Sequence, residues 1–134
     1  MKRLLVLLAV LSLNGCALYD AFMMTPFDPS EYRIITEIRT DANQYKAFCG
    51  DYETSKRNAI AIANKTKMFE LYSQHIPSNQ DSYKASKNLN AIAEGMVARY
   101  TATNKVSEVF CKMKFESIEH SAETMQHVLG KRPR

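Results

Sequence analysis

The polar run Pro77-Ser78-Asn79-Gln80-Asp81 constrains the fold most, because it separates two long segments with the periodicity of α-helices. Cys49 and Cys111 lie at nearly equal distances along the chain on either side of this run. An antiparallel arrangement of the two segments therefore brings the two cysteines together. Strands are not expected, since no segment alternates apolar and polar residues.

Local signals predict where the first helices begin and end. Asp28 is the expected N-cap, Pro29 takes the first helical position and Glu31 closes a capping box. Residues 53–58 are wholly polar, so three outcomes stay open: the helix ends near Gly50, kinks there, or runs on with an exposed turn. The helical pattern is present again over residues 59–76. The apolar or small residues of the first helix recur at the spacing of a heptad repeat. They are Ile35, Ile38, Ala42, Tyr45, Cys49 and Tyr52.

The second half predicts two further helices. One begins at Asp81 or Ser82, a new start falls between residues 103 and 107, and Gly130 is the expected stop signal after the last helix. The remaining core is predicted from the large apolar residues of each segment. These are Ile60, Ala63, Met68, Phe69, Leu71 and Tyr72; Tyr83, Leu89, Ile92, Met96 and Tyr100; and Val106, Val109, Phe110, Met113, Ile118, Met125 and Val128.

The expected fold class is all-α, as an antiparallel three- or four-helix bundle. A bare two-helix hairpin buries too little core for a chain of this size, although a long helical hairpin that dimerises is the alternative. The helical domain is expected over residues 28–130. Residues 16–27 form a rather apolar tether, and residues 131–134 form a basic tail.

The amino terminus has the form of a signal peptide over residues 1–15. Lys2 and Arg3 precede an apolar run from Leu4 to Leu13. About ten apolar residues in a helix rise only about 15 Å, which is half of a roughly 30 Å hydrocarbon core. The run therefore predicts a cleaved leader and not a permanent membrane span.

The segment Leu13-Asn14-Gly15-Cys16 resembles the lipobox of bacterial lipoproteins, except that Asn14 replaces the usual small residue. The resemblance implies that Cys16 carries lipid and becomes the first residue of the mature chain. Several acyl chains on one residue anchor a protein stably. Ala17 follows the cysteine, and by resemblance to enterobacterial sorting this implies the outer membrane, with the domain facing the periplasm.

Cys49 and Cys111 remain once Cys16 is assigned to the lipid. In the oxidising periplasm such a pair predicts a disulfide that staples the helices. Two buried free thiols are the alternative. A catalytic cysteine is not expected, because neither residue lies in a CxxC motif or near a histidine in the sequence.

Chemistry-bearing motifs are sparse, so we expect neither an enzyme nor a cofactor. The sequence lacks HExxH, CxxCH, GxxxxGK[ST], GxGxxG and GxSxG motifs. Glu116, His120, Glu123 and His127 share one helical face and are weak candidates for a Zn²⁺ or Ni²⁺ site. The preferred interpretation of this stripe is a solvated surface with local Glu–His pairs.

The net charge of +4 does not predict nucleic-acid binding. Lys2 and Arg3 leave with the leader, and three further cations lie in the tail at Lys131, Arg132 and Arg134, so the helical part is nearly neutral. The tail is interpreted as a solvated terminus. Contact with anionic lipopolysaccharide or peptidoglycan is the alternative.

Three short segments resemble those of small lipoproteins carried by T4-like marine phages. They are Phe27-Asp28-Pro29-Ser30-Glu31-Tyr32, Phe110-Cys111-Lys112-Met113-Lys114 and Gly130-Lys131-Arg132-Pro133-Arg134. The resemblance implies a phage origin and no particular activity. The expected function is that of a lipid-anchored periplasmic helical module with a non-catalytic structural or interaction role, an envelope protein partner and possible homo-oligomers. The alternative is a phage-encoded host-envelope factor, which acts in receptor blocking and superinfection exclusion or as an outer lysis subunit.

Overall fold

The computed structural model of the chain describes residues 25–103 and 105–134, which form four α-helices. The helices are α1 (Pro29–Tyr45), α2 (Tyr52–Gln74), α3 (Gln80–Ala102) and α4 (Glu108–Gly130), and a short 3-10 turn (Lys46–Phe48) follows α1. They pack antiparallel in up-down-up-down order, and the described residues contain no strand. The prediction of an all-α bundle is confirmed, with four helices and not a long hairpin.

Side-chain caps explain where three of the helices begin. Asp28 accepts the backbone N–H of Glu31 at 2.7 Å, Asp51 accepts that of Thr54 at 2.6 Å, and Ser107 accepts that of Phe110 at 3.1 Å. Each cap satisfies an N–H that the first turn leaves without a partner. Helix α3 begins at Gln80, slightly earlier than expected, and its N-cap residue Asn79 makes no such bond.

The core is one continuous stripe with heptad spacing on every helix. The closest packing joins α1 to α4 and α2 to α3, and looser contacts of α1 with α2 and of α3 with α4 close the ring. Such spacing lets side chains of facing helices interlock along their whole length. The stripe consists of Glu31, Ile35, Ile38, Ala42 and Cys49; Ser55, Ala59, Ile62, Thr66, Phe69 and Ser73; Ser82, Ser86, Leu89, Ala93, Met96 and Tyr100; and Cys111, Phe115, Ile118, Ala122, Met125 and Leu129.

The core of α2 differs from the expectation. Ile60, Met68 and Leu71 lie on the outer face with 42%, 48% and 48% of their surface exposed. The buried stripe uses shorter residues such as Ala59 and Thr66, which lie between larger ones. Short side chains let α2 approach α3 closely, so the register of the whole bundle outweighs the burial of three larger residues.

Helix α4 shows the same kind of correction. Val109, Met113 and Val128 are exposed, although all three were expected in the core. Gly130 is the last residue of α4 and does not adopt a left-handed conformation, so it is not the predicted stop signal. A Cβ at Gly130 would lie 3.2 Å from Cε2 of Tyr32, so the glycine permits close contact between α4 and α1.

Candidate functional site

The two ends of the bundle are built from different chemistry. At one end lie the first turns of α1 and α3 and the last turns of α2 and α4; this is the polar end, where the described chain begins at Thr25 and finishes at Arg134. At the other end lie the last turns of α1 and α3, the first turns of α2 and α4 and the bond between Cys49 and Cys111; this is the disulfide end. The polar end is the candidate site, because it combines a buried charge pair with a cleft.

Glu31 places a carboxylate in the interior of the polar end, with none of its surface exposed. Its Oε1 accepts hydrogen bonds from the Ser73 hydroxyl at 2.9 Å and from the Asn79 amide at 2.8 Å. Its backbone N–H keeps the predicted bond to Asp28, but the carboxylate turns inward and does not complete the capping box. A buried carboxylate of this kind requires a cation beside it.

Arg132 supplies that cation. Its Nη1 donates to Glu31 Oε2 at 2.7 Å, and its side chain is 9% exposed. Its Nη2 donates to Asn79 Oδ1 at 2.6 Å and also to the Ser82 hydroxyl. The planar guanidinium therefore joins α1, the α2–α3 turn and α3 to the segment that follows α4.

The residues around Arg132 also fold back onto the chain that precedes α1. The Phe27 N–H donates to the Pro133 carbonyl at 2.8 Å, and the guanidinium of Arg134 lies 5.2 Å from the centre of the Phe27 ring. We call Lys131–Arg134 the C-terminal clasp. The structure thus places part of the expected solvated tail, and Phe27 of the expected tether, in contact with the helical domain.

A cleft of about 600 Å³ opens beside the clasp, between the start of α3 and the end of α4. Ala85, Met125 and Val128 give it apolar walls, and Asn79 and Arg132 lie at its polar side. Thr25 also lines the cleft, and its hydroxyl donates to the Ser78 carbonyl at 2.6 Å. The residue that connects the domain to the preceding sequence is therefore part of the cleft wall.

The disulfide end is covalent and aromatic. Cys49 and Cys111 form the predicted disulfide, with Cα atoms 5.6 Å apart and 62 positions apart in sequence. The Tyr52 hydroxyl donates to the carbonyls of Tyr100 and Thr103 at 3.2 Å and 3.1 Å, which ties the end of α3 to α2. Burial raises the pKa of Tyr100 above its usual value.

A polar layer lies between α2 and α3 near the middle of the bundle. The Thr66 hydroxyl donates to Asn90 Oδ1 at 3.0 Å, and the Asn90 amide donates to Glu70 and Glu94, at 2.9 Å each. Lys67 pairs with Glu70 at 3.2 Å. Because these groups satisfy one another, the layer fixes the register of α2 against α3.

Charged pairs cover the outer seam between α1 and α4. Lys46 donates to Glu119 at 2.5 Å, and Asn43 donates to the same carboxylate at 2.6 Å. The hydrogen bond from Lys46 has the larger effect and that from Asn43 the next largest, and together they lower the pKa of Glu119. Arg39 pairs with Glu123 at 2.6 Å in the same seam.

The weak metal candidates Glu116, His120, Glu123 and His127 do not form a ligand cluster. Glu123 is engaged by Arg39, and His120 Nδ1 lies 3.9 Å from Glu123 Oε2 with most of its ring in solvent. Across the described ranges, no three His, Cys, Asp or Glu side chains are close enough to hold a metal ion.

The predicted leader (residues 1–15), the predicted lipidation site Cys16 and the tether up to residue 24 lie outside the described residues. Among the helices of the described part, none combines the length and hydropathy needed to cross a bilayer.

Sequence reasoning located the cysteine pair but missed the ion pair between Glu31 and Arg132. Glu31 fitted a capping box and Arg132 followed a helix end among other cations, so each residue had an ordinary local interpretation. One usable signal existed: Glu31 lies four residues before Ile35, and so begins the heptad stripe of α1 on its buried face. Comparisons with protein-family models, with curated proteins and with solved structures found no match.

Proposed function

We propose that the chain is a lipid-anchored helical module of the bacterial envelope, with a non-catalytic structural or interaction role on the periplasmic side of the outer membrane. Cys16 would carry the lipid. The four-helix domain would be presented to an envelope partner from its anchored end.

The Cys49–Cys111 disulfide is the observation that carries this proposal. Disulfides persist in the periplasm and are rare in the bacterial cytosol, so the bond supports the periplasmic location that the leader predicts. A catalytic role has no comparable support, because the buried charges of the polar end are fully paired with each other.

An anchor at Cys16 would also set which end of the domain faces the membrane. Thr25 lies at the polar end, about nine residues after Cys16, and an extended chain spans at most about 3.6 Å per residue. The polar end would thus lie within about 30 Å of the bilayer surface. We therefore propose the polar end, with its cleft and clasp, as the side that faces the membrane.

Mass spectrometry of the full chain, expressed with its own leader in a Gram-negative host, tests the proposal. We expect a mature protein that begins at Cys16 and carries acyl mass, and a peptide pair linked through Cys49 and Cys111 in non-reducing digests. The Cys16→Ala variant is the control, and it should lose both the acyl mass and the cleavage before residue 16. An unprocessed wild-type chain that stays in the cytosol would refute the proposal.

The identity of the partner separates the two roles considered from the sequence. Cross-linking in intact cells, followed by purification from outer membranes, should recover an envelope protein or a second copy of this chain. Recovery of a phage receptor would favour the host-envelope factor, to which the likeness to phage lipoproteins also points. Recovery of the chain alone, as a monomer and with no partner, would contradict an interaction role.

A further inference from the structure

We propose that the C-terminal clasp is a releasable strap. It holds the polar end of the bundle closed, and its release opens this end locally while the disulfide end stays folded.

The contacts of Arg132 give the first argument. One guanidinium makes hydrogen bonds to Glu31 on α1, Asn79 in the α2–α3 turn and Ser82 on α3. A single side chain that follows the last helix therefore holds together three other parts of the bundle. Loss of the Arg132 side chain would release all three parts at once.

The composition of the polar end gives the second argument. The buried residues that make hydrogen bonds to Glu31 and Arg132 are short and polar, namely Ser73, Asn79 and Ser82. Such residues themselves bury little apolar surface, so the closure of this end depends strongly on the hydrogen bonds of the charge pair. The neighbouring cleft already separates α3 from α4 at this position.

The disulfide end gives the third argument, since it lacks these weaknesses. The bond between Cys49 and Cys111 closes that end covalently, and Phe115 and Tyr100 fill the interior beside it. A helix of 23 residues is about 35 Å long, so the two ends are far enough apart to open independently.

Thiol labelling at two buried methionines tests the strap. Met125 is 8% exposed and lines the cleft, whereas Met96 is 0% exposed and lies towards the disulfide end. Met125→Cys and Met96→Cys are introduced separately into the full chain with Cys16→Ser, so that each protein has one thiol outside the disulfide. The labelling rate by dithiobis(nitrobenzoate) reports how often each position opens, and it does not depend on lipidation.

Arg132→Gln should accelerate labelling at the Met125→Cys thiol about tenfold or more, and should leave the Met96→Cys thiol within about twofold. Ser82→Ala removes one acceptor and carries less risk of unfolding, so it should act in the same direction with a smaller effect. Equal acceleration at both positions would show that the clasp only stabilises the whole fold and would overturn the proposal. Unchanged labelling at Met125→Cys in both variants would overturn it as well.

Discussion

The two ends of this bundle close the same four helices by opposite means. The disulfide end uses one covalent bond and large aromatic residues, whereas the polar end uses one buried ion pair and its hydrogen bonds. A disulfide acts mainly by restricting the unfolded chain, while a buried ion pair acts within the folded state and depends on both partners. The disulfide end is therefore stabilised by a bond that persists when the chain unfolds, whereas the polar end is stabilised only while both partners of its ion pair are in place.

Removal of the disulfide should have the largest effect. The Cys49→Ser/Cys111→Ser variant loses a cross-link over 62 positions, which in the chain-entropy model is worth about 4 kcal/mol. For a domain of this size the melting temperature should fall on the order of 20 °C. Circular dichroism at 222 nm measures it, with reduced wild-type protein as the control. A decrease in melting temperature of less than about 5 °C would mean that the disulfide end does not depend on its bond.

Removal of Arg132 should rank second. Arg132→Met leaves the buried Glu31 carboxylate without its cation, which typically costs about 3 kcal/mol or more. The double variant Glu31→Leu/Arg132→Met should be less destabilised than Arg132→Met, because it buries no lone charge. Urea unfolding of both single variants, the double variant and wild type gives the coupling. Arg134→Ala is the matched control, and a loss in that variant as large as in Arg132→Met would contradict the assignment.

Two glycines offer a smaller test of how tightly the helices are packed. A Cβ at Gly95 would meet no atom within 4 Å, so Gly95→Ala should stabilise the protein by up to about 1 kcal/mol through helix propensity. Gly130→Ala should gain less, since its Cβ would press on Tyr32 at 3.2 Å. Thermal unfolding of the two variants measures the difference. A larger gain at Gly130 would show that the polar end is loosely packed at this contact.

The pH dependence of stability should show the smallest effect. Hydrogen bonds from Lys46 and Asn43 lower the pKa of Glu119 in the folded state, so the carboxylate contributes stability above its unfolded pKa near 4.5 and loses it as the pH falls further. At pH 7, Glu119→Gln should be less stable than wild type by about 0.5 kcal/mol, as for a partly exposed ion pair. The two proteins should converge at an acid pH below the lowered pKa of Glu119. Urea titrations at pH 7 and at the acid pH measure the free energy of unfolding of both proteins. A difference between them that does not change with pH would exclude the charge of Glu119 as its cause.

The fold was predictable because helical periodicity and the break at Pro77 define the segments, and because the two cysteines have matching positions around the break. The faces of α2 and α4 were less predictable. Hydrophobicity alone favours Ile60 or Met113 over Ala59 or Ala122, but the packing of four helices selects one heptad register for all of them. The ion pair at the polar end joins residues 101 positions apart, and no local pattern reveals such a partner.

The disulfide also turns part of the chain into a ring. All of α2 and α3 and the first residues of α4 lie between Cys49 and Cys111, whereas α1 and the rest of α4 lie outside. Tension applied between the two chain ends would pass along α1, across the sulfur atoms and along α4. The ring would stay off this path, so a pull between the chain ends would extend the outer helices while α2 and α3 remained paired as a folded remnant.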